Sequence, residues 1–409
     1  MVKNETQTKL NSKRENSISS LLLLLLTAMY TVAYNETLRA ISILWYGISA
    51  LTILVLLCKI IFEKTSSRIS FFTWWSLIFL GYCALSSIWA LKVNPIFETM
   101  KTLVLVFAAH ILLAESISAK QDIEKILWAN FFALLFTALF IILTIDISTL
   151  GQDRIGRDGL GELWNANDIG LKMTIGLIIG GYFFLSMKGA GKRLFLLACI
   201  ALFMAIALLT GSRKVVLLIA MTIVLVLFLK AKKHRFLALV IGAVFALILY
   251  YIIMNVEIFY NVLGKRLEDM IDGLFKGGTK EGSFNERAQM ISMGLNWFTE
   301  RPLLGYGLSN FRILYGQAMG WETYSHNNFV EILVSGGLLG FVIYYSVYVY
   351  LLLNLLKPAF KQRDLLAIIF FSLTVSTLAL QIALVSFSST LFNCLLCLGC
   401  IYLKVRDKK

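Results

Sequence analysis

The sequence predicts an all-α polytopic membrane protein of about 12 transmembrane helices, with one large extracytoplasmic helical loop. Hydrophobic residues make up 58% of the 409 residues and charged residues 15%, more apolar material than a soluble core of this length needs. The apolar residues fall in runs long enough to cross a bilayer, which takes ~20 residues. The basic residues gather in every second connection between those runs.

The runs lie at 19–35, 40–62, 70–91, 100–117, 125–145, 169–187, 194–210, 214–230, 236–255, 328–356, 365–384 and 387–403. The first continues from Leu21–Leu26 into Val32-Ala33 without a small-residue cleavage site, so it reads as a retained span behind a cytoplasmic tail of residues 1–18. Residues 19–255 then hold helices one to nine, 256–327 the loop, 328–403 helices ten to twelve, and 404–409 a second cytoplasmic tail. With the N-terminus in the cytoplasm, most of the 38 Lys and Arg fall in short cytoplasmic segments, among them Lys188, Lys192, Arg193, Lys230, Lys232, Lys233 and Arg235. The net charge of +14 is therefore a topology signal, and nucleic acid is not an expected partner. Cys394, Cys397 and Cys400 have no neighbouring histidine or carboxylate in sequence and read as packing residues; no metal or cofactor is called for.

Polar sequence collects on the outer side in two segments, Asp146–Asp168 and Val256–Ser325. Loops of the second length are usually functional. In it, Ile258, Val262, Leu267, Ile271 and Leu274 recur at helical spacing, predicting an amphipathic surface helix ended by Gly277-Gly278. Ser283 and Asn285 are candidate caps for a second helix reaching Trp297-Phe298, closed by Pro302 and the Gly305-Tyr306-Gly307 turn. The spans carry almost no charge, Lys172 and His110 excepted, which weighs against a secondary transporter.

Outside the cytoplasmic membrane there is no ATP, so bond-forming chemistry there uses a substrate activated in the cytoplasm, such as a glycan on a lipid diphosphate. That reaction needs a base for the acceptor hydroxyl and fixed cations for the leaving diphosphate. His326, in Tyr324-Ser325-His326-Asn327-Asn328, stands where a loop meets an apolar helix. The helix dipole would keep its imidazole neutral and available as a base. The plainer alternative is an ordinary helix start, with Ser325 or Asn327 as cap and Glu331 complementing the dipole. Gly336, Gly337 and Gly340 fall on the same helical face as His326 at 100° per residue, and Gly336 and Gly340 form a small-residue pair for close helix packing. Arg213, in a short outer hairpin, and Arg287, at the head of the second loop helix, are candidate diphosphate ligands. Headgroup anchoring is the alternative for either.

With these pieces placed, the chain resembles the O-antigen ligase / Wzy-type polymerase family of bacterial membrane glycosyltransferases. Four segments carry the resemblance in order: Trp164-Asn165-Ala166-Asn167-Asp168; Thr210-Gly211-Ser212-Arg213; Asn285-Glu286-Arg287 through Trp297 to Pro302–Gly307; and Ser325-His326-Asn327-Asn328 with Glu331 and the three glycines. The resemblance implies a C-type glycosyltransferase-like fold in the bacterial cytoplasmic membrane, both termini cytoplasmic, acting without metal on undecaprenyl-diphosphate-linked glycans. It also implies that Arg213 and Arg287 hold the diphosphate and that His326 is the base or orients the acceptor hydroxyl. Asn165 and Asn167 match the family's Asn-Pro-Asn segment except that Ala166 stands for proline; with Asn327 and Glu331 they are candidates for acceptor binding or helix positioning. The expected function is polymerisation of repeat units into capsule, exopolysaccharide or O-antigen. A ligase transferring glycan to lipid A-core or to a protein hydroxyl is the alternative, and an exporter or flippase the more distant one. Membrane lipids, a flippase and a chain-length regulator are the expected partners.

Overall fold

Each of the twelve apolar runs forms a helix. The computed structural model describes residues 18–62, 68–146, 148, 151, 152, 154–275 and 282–407. The long helices are α1 (Ser20–Tyr34), α2 (Ser42–Phe62), α3 (Phe71–Leu85), α4 (Asn94–Ser116), α5 (Lys120–Thr144), α6 (Ala166–Ser186), α7 (Ala190–Leu209), α8 (Arg213–Lys230) and α9 (Arg235–Asn255). Three loop helices follow, α10 (Lys265–Phe275), α11 (Gly282–Glu300) and α12 (Phe311–Met319), and then α13 (Asn328–Lys357), α14 (Leu365–Leu380) and α15 (Thr390–Arg406). Among the described residues there is no strand, and 8 helices are long and apolar enough to cross a membrane. α1 and α14 are apolar but shorter, at 15 and 16 residues.

Short polar residues start these helices. Ser19, Ser70, Asn165, Asn327 and Asp364 each accept from a first-turn N–H of α1, α3, α6, α13 and α14. The bundle's outside is apolar, as a lipid-facing surface must be: Phe236, Leu237, Ile241, Leu247 and Ile248 of α9 are all exposed. α6 is the opposite case. It is buried on every side from Ile169 to Gly180 and so lies within the bundle. Many polar groups in the interior are paired: Tyr34 donates to Asn130 Oδ1 at 2.6 Å, His110 Nδ1 meets the Val106 carbonyl at 2.6 Å, and the Cys394 thiol meets Tyr30 Oη at 3.3 Å.

The large loop folds down on one end of the bundle. Its first stretch runs through Glu257–Phe259 and a π-turn at Tyr260–Gly264 into α10, burying Leu263 against Leu208, Leu249 and Ile253. The glycine pair expected to end it, Gly277-Gly278, lies outside the described residues. α11 begins at Gly282, so Ser283 and Asn285 fall inside the helix and not before it. Met290 of α11, Tyr306, and Phe311 and Tyr315 of α12 pack on Val330 and Val334 of α13. α12 has no counterpart in the sequence reading, because its nine residues are too few for a periodic signal.

α13 is broken at Gly337, where φ is 60° and ψ is −164°. The segment after α11 splices into the break: Tyr306 and Gly307 N–H donate to the Val334 and Ser335 carbonyls at 2.8 and 2.9 Å, and Leu338 and Leu339 N–H donate to the Pro302 and Leu303 carbonyls at 2.8 and 3.2 Å. This corrects the expectation of one continuous helical face. His326 lies before the helix, the helix is interrupted at Gly337, and 100° per residue cannot carry a face through either. The break needs glycine on both sides of the splice. A Cβ on Gly337 would stand 2.4 Å from the Leu303 carbonyl, and one on Gly305 would stand 2.5 Å from the Val334 oxygen. Gly337→Ala is expected to cost ~3 kcal/mol or more, since this backbone region is almost closed to other residues. Thermal unfolding in detergent measures it, and a wild-type midpoint would refute the splice.

Candidate functional site

A cavity of about 480 Å³ opens where the loop meets the bundle, within the range of small-ligand sites. Its polar lining comes from one end of many helices: Glu36 after α1, Thr99 early in α4, Asn165, Asn167 and Asp168 at the head of α6, Lys214 at the head of α8, and Glu331 at the head of α13. Ser309, Arg312, Tyr324 and His326 come from the loop, and Leu384, Val385, Phe387, Ser388 and Ser389 from the turn between α14 and α15.

His326 has φ of 55°, left-handed and uncommon for this residue type. Its neighbours fix that conformation. Asn327 Oδ1 accepts from the Phe329 and Val330 N–H at 2.9 and 3.1 Å, capping α13. Glu331 reaches back from the first turn to accept the Ser325 N–H at 2.9 Å, and the Ser325 hydroxyl donates to the Asn327 carbonyl at 2.7 Å. The plain helix start and the presentation of His326 are thus one arrangement. Ser309, which also lines the cavity, is left-handed too, with φ of 60°. Such strain persists only where the surrounding structure enforces it.

The imidazole is pushed down to about 4, first by burial and then by the charges of Arg287 and Lys214. It is neutral at physiological pH. The sequence reading gave the helix dipole as the reason; the structure supplies burial and two cations instead. The Tyr324 ring lies beside it, with centroids 4.2 Å apart.

The cations come together from distant parts of the chain. Arg287, Arg154 and Arg213 all act electrostatically on Lys214, whose ammonium donates to the Ala383 carbonyl. Arg154 Nε donates to the Thr210 carbonyl at 2.8 Å, and its Nη2 reaches Asn167 Oδ1 at 3.3 Å. Ser212 donates to the same Asn167 oxygen at 2.8 Å. Asn167 therefore ties the head of α6 to the α7–α8 hairpin, while Asn165 caps α6 by accepting the Asn167 N–H at 2.9 Å. Arg213 does not line the cavity: its Nη1 donates to the Arg266 carbonyl at 3.2 Å, joining the hairpin to the large loop. Lys214, its neighbour in sequence, does; Arg287 is also outside the lining but near enough to act on both Lys214 and His326.

Gly336 and Gly340 lie away from the cavity. The Tyr82 ring of α3 covers both, and a Cβ on Gly340 would meet it at 2.8 Å. Tyr82 Oη donates to the Gly336 carbonyl at 2.5 Å. The close approach is made by an aromatic side chain, not by a helix backbone.

The turn between α14 and α15 was expected to be membrane, with spans ending at 384 and resuming at 387. Helix instead stops at Leu380 and resumes at Thr390. The polar residues Gln381, Ser386, Ser388 and Ser389 were the available signal, masked by their apolar neighbours. Among the described residues, no group of three or more His, Cys, Asp or Glu is placed to hold a metal ion.

Residues 173–345 match the family model described as O-antigen ligase. The chain carries an O-antigen ligase family domain. No curated protein matches the chain. The matched stretch runs from α6 into the middle of α13 and contains Arg213, Lys214, Arg287, His326 and Glu331. The ligase-family match and the apolar helices make this an integral membrane protein of glycan transfer, in polysaccharide or lipopolysaccharide biosynthesis. The rest of the cavity wall, Glu36, Thr99, residues 163–171 and residues 384–392, lies outside the match.

Proposed function

We propose that the protein polymerises repeat units carried on undecaprenyl diphosphate at the outer face of the bacterial cytoplasmic membrane, in a C-type glycosyltransferase-like arrangement with both termini cytoplasmic. The observation that carries this reading is the neutral, conformationally constrained His326, with Lys214, in a cavity at one end of a membrane bundle, and with Arg287 acting on it. A flippase delivering the donor and a chain-length regulator belong to the same proposal.

The reaction is a direct displacement. The acceptor oxygen forms a bond to the anomeric carbon, the carbon–oxygen bond to the lipid diphosphate breaks, and its electron pair leaves with the phosphate. The acceptor proton passes to His326. Lys214 and Arg287 meet the charge that develops on the leaving group, in a site where fixed cations need no reorganisation. Holding both saccharides in one cavity removes much of the entropic barrier. No step requires a cofactor or a metal.

Arg287→Gln is expected to lower kcat about a hundredfold, the usual cost of removing one preorganised charge from such a site. Lys214→Met should act similarly. Arg213→Gln should cost less, because its guanidinium contacts the Arg266 carbonyl outside the cavity. Equal losses in all three would return Arg213 to the diphosphate.

The description of the matched family favours a second reading, a ligase that delivers the glycan to lipid A-core, or to a protein hydroxyl. The cavity lining argues less for an exporter, since its polar residues all sit at one end of the helices and trace no path through the bundle. The deciding experiment supplies purified protein with lipid-diphosphate-linked repeat units alone, then with lipid A-core. A product ladder from repeat units alone establishes the polymerase. Transfer only when lipid A-core is present establishes the ligase. No glycosidic product with any acceptor refutes both.

A further inference from the structure

Asp168 and Glu36 face the cavity but take no part in the displacement described above. Both are bound to Lys172, whose ammonium lies 2.6 Å from Glu36 Oε1, 2.6 Å from Asp168 Oδ2 and 2.9 Å from the Tyr34 carbonyl. The lysine side chain is 5% exposed, Glu36 21% and Asp168 44%. A cation buried on α6 thus holds two carboxylates at the cavity wall, and the more open carboxylate belongs to Asp168. With Arg39 Nη1 3.9 Å from Glu36 Oε2, two cations balance the two acids, and Asp168 is left as an open hydrogen-bond acceptor at the wall.

That sector is separate from the cationic one. Arg287, Arg154 and Arg213 act on Lys214, and Arg287 and Lys214 act on His326. The charges acting on Asp168 are those of Lys172 and Arg39. Tyr324, its ring tilted beside that of His326, is reached by both Arg287 and Asp168 and marks where the sectors meet. A lipid diphosphate is drawn to the clustered cations around Lys214 and gains no attraction at the charge-balanced wall. A neutral, hydroxyl-rich saccharide has the reverse use for the two walls, since an ionised carboxylate accepts hydrogen bonds from adjacent sugar hydroxyls at no electrostatic cost.

We infer that Asp168, held by Lys172 and backed by Glu36, binds the hydroxyls of the acceptor saccharide and orients the attacking one toward His326, leaving the Lys214–Arg287 sector to the donor diphosphate. The inference rests on the glycan-transfer reading of the cavity. Lys172 acts through Asp168 and is a positioning residue, and Asp168 is the specificity-determining contact.

The test uses full-length protein in nanodiscs and two competitors of transfer: the free repeat-unit oligosaccharide released from the lipid by mild acid, and inorganic diphosphate. Asp168→Asn keeps the side-chain shape and removes the charge. It is expected to raise the half-inhibiting oligosaccharide concentration about tenfold, as for a lost hydrogen bond to a charged group, and to leave inhibition by diphosphate unchanged. Lys214→Met should show the opposite pattern, and Asp168→Glu should recover part of the saccharide affinity. A purely structural ion cluster would lower the unfolding temperature and shift both inhibition curves together, or neither; either result overturns the inference. If the wild-type protein forms no glycosidic product, the transfer reading fails on its own. Calorimetric titration of the oligosaccharide into wild type and Asp168→Asn then still decides whether Asp168 binds saccharide.

Discussion

His326→Ala is expected to lower glycan transfer by a factor of about 10² to 10⁴, the range supplied by a positioned base. Alanine also relaxes a left-handed position, so the informative companion is His326→Asn. Asparagine tolerates positive φ and preserves the loop while offering no basic nitrogen. An inactive asparagine variant with a wild-type unfolding temperature assigns the loss to the imidazole. An active one would reduce His326 to a backbone element.

The pH profile gives a second, independent handle on the same residue. With the imidazole held at about 4 in the free protein, the acid limb of kcat/KM should lie near that value and not near the ordinary histidine value of ~6.5. Donor diphosphate then neutralises the two cations that add to burial in holding the imidazole down. The basicity of His326 rises only when the donor is bound, and the acid limb of kcat should sit at higher pH than that of kcat/KM. Lys214→Met should raise the kcat/KM limb and shrink the gap. Stability moves in the matching direction. Between the unfolded value of ~6.5 and the folded value of about 4, the unfolded chain takes up the proton first, so stability falls as pH falls through that window. Coincident kcat and kcat/KM limbs would count against donor-dependent basicity.

The sequence made the bundle legible because apolar length survives any tertiary context: a lipid-facing helix such as α9 has no other way to satisfy its backbone. His326 was legible for a different reason, being a rare residue at a sharp polarity boundary. What could not be read was anything that depends on two segments meeting. The φ of Gly337 is set by the Pro302–Gly307 splice, some thirty residues away in sequence. The depressed basicity of His326 comes first from burial and then from Arg287 and Lys214, on separate helices. Lys214 itself stood beside Arg213 in the same motif, and only the direction of the first turn of α8 decides which of the two faces the cavity. The carboxylate wall was invisible because Glu36 and Asp168 are far apart in the chain and meet through one buried lysine.

Asn328→Ala is expected to be the most damaging single truncation near the cavity, costing ~3 kcal/mol or more in stability and most of the activity with it. Asn328 is fully buried, and every polar atom of its side chain is committed to the turn between α14 and α15 or its supports. Its Oδ1 accepts the Ser386 and Phe387 N–H at 2.9 and 3.1 Å, and its Nδ2 donates to Tyr345 Oη at 3.0 Å and Gln381 Oε1 at 2.9 Å. Gln381 in turn accepts from Tyr345 at 2.9 Å and donates to Tyr348 at 2.6 Å. Truncation leaves two backbone N–H groups without their acceptor and opens the amide–phenol network, and each buried group so orphaned costs about 1–3 kcal/mol. Tyr345→Phe, which removes one phenol from the network, should cost only about 1 kcal/mol. Asn328→Asp keeps both acceptor contacts, loses both donors and buries a charge, so it should resemble alanine in stability despite its similar shape. Thermal unfolding of the three variants in one detergent ranks them, and Asn328→Ala with a wild-type midpoint would show that the turn is held elsewhere. The physical reason for expecting otherwise is the position of Asn328, two residues after His326. The backbone that presents the imidazole and the side chain that hangs the opposite cavity wall belong to one short segment, so loosening either displaces both surfaces between which the saccharides must meet.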